Sequence, residues 1–382
     1  MTTAPTPHAA LALWTDADRA DRFDQWLAPL AVRHGLRPET LAPASSDAGF
    51  RRYLRVQAAD GRTLIVMDDP AQPNQVARFV EVGTLMSGCG LHVPAMLAHD
   101  AISGFALMED LGAQLYLDTL QRAQRDGDMT VPKALMRDAT TALLRWQGCA
   151  PARADGVLPL FDDAFVRREL QIFVDWCVQA HHGKQWNDKQ RGWWDRTVAL
   201  LSDNIAAQPR VPMHRDYMVR NLMVCPPPAG PDDSALPTPG ILDFQDAVMG
   251  PITYDIASLL RDAFISWDES EELDWAVRYW EGAKRAGLFG MDPNGEDPHE
   301  MALDFGLFWR RLEWTALQRQ LKIMGIFCRL KHRDGKPHYV EDLPRFYAYV
   351  VKTATRYVEL APLLRLIEDL QPQLLQTGFT LR

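Results

Sequence analysis

The alternation of apolar and polar positions changes period along the chain, and the changes mark out its elements. Near the start, Phe23, Trp26, Leu27 and Leu30 recur at helical spacing, and Thr15-x-x-Asp18 supplies a capping-box-like start, so a helix is predicted there. The period then shortens. Arg52–Val56 and Thr63–Met67 read as two strands joined by the turn Ala59-Asp60-Gly61, residues 74–87 return to helical spacing, and Gly104–Met108 reads as a third strand. That strand runs into Glu109-Asp110-Leu111-Gly112, a hinge-like end to a small β-rich region. Beyond it the pattern is mostly helical. Residues 130–148 carry Ala134, Leu135, Ala139, Leu143, Leu144 and Trp146 near helical spacing; residues 163–180 carry Phe165, Leu170, Phe173, Val174 and Trp176. Two short strands interrupt the helices, Leu222–Val224 and Ile241-Leu242, with the Pro-rich stretch Cys225 to Gly240 as their connection. Helices resume from about Thr253, and a further helical run covers 301–330.

The class this predicts is α+β and bilobal, with a β-rich N-lobe over residues 1–110, including the first helix, and a larger helical C-lobe over 111–382. Length agrees, because 382 residues exceed what one core usually serves. Hydrophobic residues make up 47 % of the chain, yet no apolar run approaches membrane-spanning length. A net charge of −9 gives no general basic footprint, so nucleic acid and membrane are not expected partners and no obligate protein partner is evident. The opening MTTAPTPHAALALW does not read as a signal peptide. Cys89, Cys149, Cys177, Cys225 and Cys328 form no CxxC pair and no disulfide framework, which suits a cytoplasmic location.

The chemistry is concentrated between residues 211 and 262. There Asp216 precedes Asn221 by five positions in a His-Arg-Asp-x-x-x-x-Asn loop, and Asp243 closes the apolar run Ile241-Leu242. Moving a γ-phosphoryl group requires a carboxylate to orient the acceptor hydroxyl and take its proton, and metal ions to neutralise phosphate oxygens. Mg²⁺ takes hard oxygen ligands and needs few from protein, so one carboxylate and one amide oxygen suffice. Asp216 is the candidate base; Asn221 and Asp243 are the candidate metal ligands and contacts to the nucleotide. A hairpin of the two short strands would carry Asn221 and Asp243 to the same end of a rigid element. His214 reads as a structural residue that holds the loop by a hydrogen bond. Asp255 reads as a helix cap or a support for the loop.

At this point the chain resembles the aminoglycoside phosphotransferase-like small-molecule kinases, relatives of the protein kinases, through HRDYMVRN (214–221), LDFQD (242–246) and GPITYDIASLLRD (250–262). Within that group AGFRRYLRV (48–56), LIVMDDP (64–70), ALMEDLG (106–112) and LKIMGIFCRLKHRDGKPHY (321–339) resemble bacterial N-acetylmuramate/N-acetylglucosamine anomeric kinases. The resemblance implies a protein-kinase-like fold, ATP and Mg²⁺, an amino-sugar acceptor phosphorylated at its anomeric hydroxyl, and a role in salvaging cell-wall sugars. It places the nucleotide at the hinge, around Met108 and Glu109. It also makes Glu313, Gln318 and Lys322 candidate acceptor contacts; Asp216 and Asp246 join them from the loop and strand end, as does Arg220, which beside Asn221 reads as neutralising phosphate charge or pairing with a carboxylate.

The chain also departs from the kinase pattern. Ser45–Gly49 lacks GxGxxG, so phosphate cradling by backbone amides is only weakly signalled. Where kinases carry a phosphate-binding Lys on the third strand stands Met67, which removes an electrostatic clamp. Arg51 and Arg52 are the candidate replacements, since a guanidinium grips phosphate bidentately. Strand alternation sends them to opposite faces, with Arg52 slightly favoured and solvated surface charge as the competing reading. Glu81 reads as a solvated helix residue rather than the partner of such an Arg. The Trp residues of HHGKQWNDKQRGWW (181–194) read as core packing ahead of sugar stacking. Two rivals stay open: the same fold acting on an aminoglycoside, choline or homoserine, and a nucleotide-binding pseudokinase, which Met67 suggests and the Asp216, Asn221 and Asp243 set weighs against.

Overall fold

The computed structural model describes residues 16–45, 51–70, 74–153, 156–225, 239–292 and 294–371. The opening segment with Thr15, the turn residues 46–49 and the connection 226–238 therefore lie outside the described residues. The chain divides into two compact units, Met1–Gln114 with Met223–Asp246, and Leu115–Leu222 with Ala247–Arg382.

The first unit is built on a five-stranded antiparallel sheet, β1 (Leu36–Ser45), β2 (Arg52–Ala58), β3 (Thr63–Asp68), β4 (Met96–Asp100) and β5 (Phe105–Glu109), in the order β1-β2-β3-β5-β4. Leu54, Val66 and Leu107 stand opposite one another across the three central strands. They turn with Val56, Leu64 and Phe105 to one face, where α1 (Ala17–His34) lays down Phe23 and Leu27. Asp16 caps α1 by accepting from the N–H groups of Asp18 and Arg19, one position after the predicted Thr15 start. Helix α2 (Asn74–Gly88) buries Val76, Phe79, Val82 and Met86, a stripe at helical spacing.

The second unit is mainly helical. Helices α3 (Tyr116–Asp126), α4 (Thr130–Gln147), α5 (Asp163–Ile172), α6 (Asp188–Ala206), α7 (Tyr254–Leu260), α8 (Glu269–Arg285), α9 (Glu300–Leu303), α10 (Phe305–His332), α11 (Leu343–Ala354) and α12 (Ala361–Leu370) follow in chain order. After α5 the backbone widens into a nine-residue π-helical segment, Phe173–His181, which falls but for its last residue in the span 163–180 predicted as one helix. Helix α10 is the central element. It is buried on nearly every side from Leu312 to Gly325, although Glu313, Gln318, Arg319, Gln320 and Lys322 lie within that stretch, and buried polar groups of this kind require partners inside the protein. It approaches so closely that a Cβ at Gly325 would meet the backbone of Ile172 at 2.5 Å and that of Phe173 at 2.7 Å. Trp186 and Trp194 are buried and lie 5.4 Å apart, so the Trp-rich stretch does supply core packing. No described helix is long and apolar enough to cross a membrane.

Candidate active site

The His-Arg-Asp loop follows β6 (Arg210–Met213), which pairs antiparallel with β9 (Val248–Pro251). Two buried carboxylates fix the loop at both ends. Asp255, in the first turn of α7, accepts from the N–H of His214 at 2.7 Å and of Arg215 at 3.0 Å. Asp262, just beyond α7, accepts from the N–H of Val219 at 2.9 Å. Burial pushes Asp255 up to about 7 and Asp262 up to about 6, although these donors pull the other way. His214 is fully buried, and its Nδ1 accepts from the Asp216 N–H at 3.3 Å. Tyr217 is buried beside it, with its hydroxyl donating to the Ala139 carbonyl at 2.8 Å.

Asp216 itself keeps 32 % of its side chain exposed. Burial of the carboxyl acts to raise its pKa, but Lys322, Arg319, Arg215 and His214 outweigh burial and hold it below the usual carboxylate range. The geometry of those cations is explicit. Arg319 Nη2 lies 3.9 Å from Asp216 Oδ1. Lys322 Nζ lies 2.7 Å from Glu169 Oε1 and donates to Tyr254 Oη at 3.3 Å. Arg215 Nη2 donates to Glu169 at 3.3 Å, and Gln318 Nε2 donates to Glu169 at 3.0 Å. Glu169, Gln318, Arg319 and Lys322 are all buried, and the Gln318 Oε1 has no partner among the described residues.

Asn221 donates its Nδ2 to the Asp216 carbonyl at 2.9 Å, which leaves its amide oxygen as the end suited to a hard cation. It directly precedes β7 (Leu222–Met223), and β7 pairs with β8 (Gly240–Ile241), two residues before Asp243. Asp243 has φ 60° and Arg215 φ 77°. Left-handed backbone is uncommon for residues other than glycine and concentrates at functional sites. Asp243 accepts from Gln245 Nε2 at 2.9 Å, and Phe244 packs on Phe79 of α2 with ring centroids 4.5 Å apart. Asp246 is half-buried.

In the first unit the two candidate arginines part as alternation requires. Arg52 Nε donates to Asp68 Oδ2 at 2.9 Å, while Arg19 Nε donates to Asp68 Oδ1 at 2.9 Å. Arg51 instead bonds Asp69, and its Nη1 lies 3.8 Å from Asp243 Oδ1. Arg52 is thus held with Arg19 on a buried carboxylate, and Arg51 is the guanidinium beside Asp243. Met67 is buried at the centre of the sheet, opposite Tyr53 and Ala106. Glu81 pairs with Arg78 on the surface. Met108 is buried between Ile65 and Met96, and Glu109 is tied to Ala95 through both its N–H, at 2.9 Å, and its carboxylate, at 3.2 Å.

Two acceptor candidates are engaged elsewhere. Both oxygens of Glu313 are taken, Oε1 by Arg261 and Arg356 at 2.7 Å each and Oε2 by Tyr357 at 2.6 Å. At about 100° per residue Glu313 also lies on the opposite side of α10 from Lys322. The Arg220 guanidinium stacks 4.9 Å from the Phe264 ring. Sequence reading passed over Glu169, Arg319, Asp262 and Asp69. Arg319 stands in the sequence among Glu313, Gln318, Gln320 and Lys322, and its burial is what sets it apart from a solvated helix charge.

Known proteins resemble this chain over most of its length. The chain is 42 % identical to the N-acetylmuramate/N-acetylglucosamine kinase of Pseudomonas aeruginosa, over 91 % of this chain and 94 % of that protein. It is 42 % identical to the protein of the same name from Pseudomonas putida, over 87 % and 88 % respectively. Among solved structures, the GDP complex of aminoglycoside 2'-phosphotransferase-IIIa superposes with a TM-score of 0.54 at 12 % identity, over 88 % of this chain and 99 % of that one, a likeness of fold. The phosphotransferase enzyme family matches residues 40–293, more than half of the chain, and this protein belongs to that family, a kinase of protein-kinase-like fold.

Proposed function

We propose that the protein transfers the γ-phosphoryl group of ATP to the anomeric hydroxyl of N-acetylmuramate or N-acetylglucosamine, giving the sugar 1-phosphate, and that it serves the recovery of cell-wall sugars in a bacterial cytoplasm. The observation that carries the choice of acceptor is the similarity, across nearly the full length of both chains, to relatives named for these two sugars. In this reading the sheet-bearing unit receives the nucleotide near Met108 and Glu109, and the helical unit receives the sugar.

Asp216 orients the anomeric hydroxyl and accepts its proton. Cations hold this carboxylate ionised at neutral pH, which costs it basicity, and the anomeric hydroxyl offsets that cost because it is more acidic than an ordinary alcohol. The donor set fits Mg²⁺, one carboxylate at Asp243 and one amide oxygen at Asn221 whose nitrogen is already spent. When bound, that ion neutralises charge on the phosphate oxygens. Arg51 supplies the cation that Met67 does not. Gln318 Oε1, buried and unpartnered among the described residues, accepts from a sugar hydroxyl or acetamido N–H, and Lys322 and Asp246 complete the acceptor contacts. Mass spectrometry after incubation with Mg-ATP and a panel of sugars tests the proposal: a phosphorylated N-acetyl amino sugar is expected, and turnover confined to aminoglycosides, choline or homoserine overturns it.

A further inference from the structure

In protein kinases the cation at the triphosphate is a strand-borne Lys aligned by a Glu from the neighbouring helix. Neither half of that pair is present here, since Met67 is a buried apolar residue and Glu81 is turned to Arg78 at the surface. A different pair stands at the ends of two adjacent strands. Arg52 faces Asp68 in the β2–β3 register, so Arg51 and Asp69 occupy the next position along. Arg51 Nε donates to Asp69 Oδ2 at 3.0 Å, its Nη1 donates to Tyr53 Oη at 3.3 Å, and the same Nη1 lies 3.8 Å from Asp243 Oδ1. Asp69 is only 5 % exposed at its side chain, and its N–H is anchored to the Gly104 carbonyl at 2.9 Å.

We propose that Asp69 is a positioning residue for nucleotide binding: it grips the Nε side of the Arg51 guanidinium and so presents the Nη side to the polyphosphate of ATP. This rests on the kinase reading given above. A long flexible cation loses rotamer freedom when it clamps phosphate, and a buried carboxylate that already fixes it removes much of that loss from the binding step. The pair thus takes the place of the Lys–Glu pair without using the α2 helix.

Isothermal titration calorimetry of the full-length protein separates the possibilities, with Mg-ATP and AMP as ligands and Asp69→Asn, Asp69→Glu, Arg51→Gln and the Asp69→Asn/Arg51→Gln double variant compared with wild type. Asp69→Asn is expected to weaken Mg-ATP by about tenfold while AMP, which lacks the β- and γ-phosphates, changes less than about twofold; Asp69→Glu should recover most of the loss, and adding Asp69→Asn to Arg51→Gln should cost little more. Equal weakening of ATP and AMP, additive losses in the double variant, or an Asp69→Asn protein that binds Mg-ATP like wild type overturns the proposal. A wild-type protein that binds no Mg-ATP removes instead the kinase reading beneath it.

Discussion

Asp216 shows how a single side chain is set by its surroundings. Its carboxylate lies within reach of Arg319, with Lys322 and Arg215 close behind, and the balance of these charges against burial keeps it ionised. Asp216→Ala is expected to lower kcat by several orders of magnitude while nucleotide affinity, measured by calorimetry, stays within about threefold of wild type. The pH dependence follows from the same charges. Because the pKa of Asp216 is depressed, its base form persists as pH falls, and kcat/KM should decline only below the ordinary carboxylate range. Lys322→Met removes the largest cationic contribution and should move the acid limb of the profile to higher pH; an unmoved limb would show that the base is another group.

At the scale of elements, α10 carries much of the site, and its fit against α5 and the π-helical segment has an identifiable dependence on Gly325. Gly325→Ala gains about 0.5–1 kcal/mol in helix propensity. The added methyl, however, meets backbone atoms at 2.5–2.7 Å, and overpacking of this kind costs about 1–3 kcal/mol, so net destabilisation is expected in a urea unfolding curve. The sequence made β2, β3, α2 and β5 legible to within a residue or two, and located the start of α1 though not its end, because each carries a clean period. It concealed β1 and β4. Strand β1 contains Pro38 and Pro43 and pairs with irregular register at an edge of the sheet, and β4 is the other edge, half-exposed and without alternation. The π-helical segment was equally hidden, since the stripe Phe173, Val174 and Cys177 reads as ordinary helix.

The candidate site was legible where local order carries it and opaque where it depends on packing. Asp216, Asn221 and Asp243 follow from spacing alone. The choice between Arg51 and Arg52 required knowing that Asp68 already holds Arg52 and Arg19. The dismissal of Glu313 required Arg261, Arg356 and Tyr357, which lie 52, 43 and 44 residues away in sequence.

For the molecule as a whole, the two compact units are interleaved in sequence, since residues 223–246 belong with the N-terminal sheet although they follow the His-Arg-Asp loop. The chain thus passes between the units at Leu222–Met223 and again at Asp246–Ala247. Asn221 and Asp243 sit within three residues of those passages, and Asp216 lies six residues before the first of them. The central claim is that phosphoryl transfer takes place on the anomeric oxygen of an N-acetyl amino sugar. Phosphorus NMR of the product formed from Mg-ATP and N-acetylglucosamine reads that directly. A phosphate monoester resonance coupled to the anomeric proton is the expected result; coupling to the C6 protons, or ATP consumed with no sugar phosphate formed, would contradict the account.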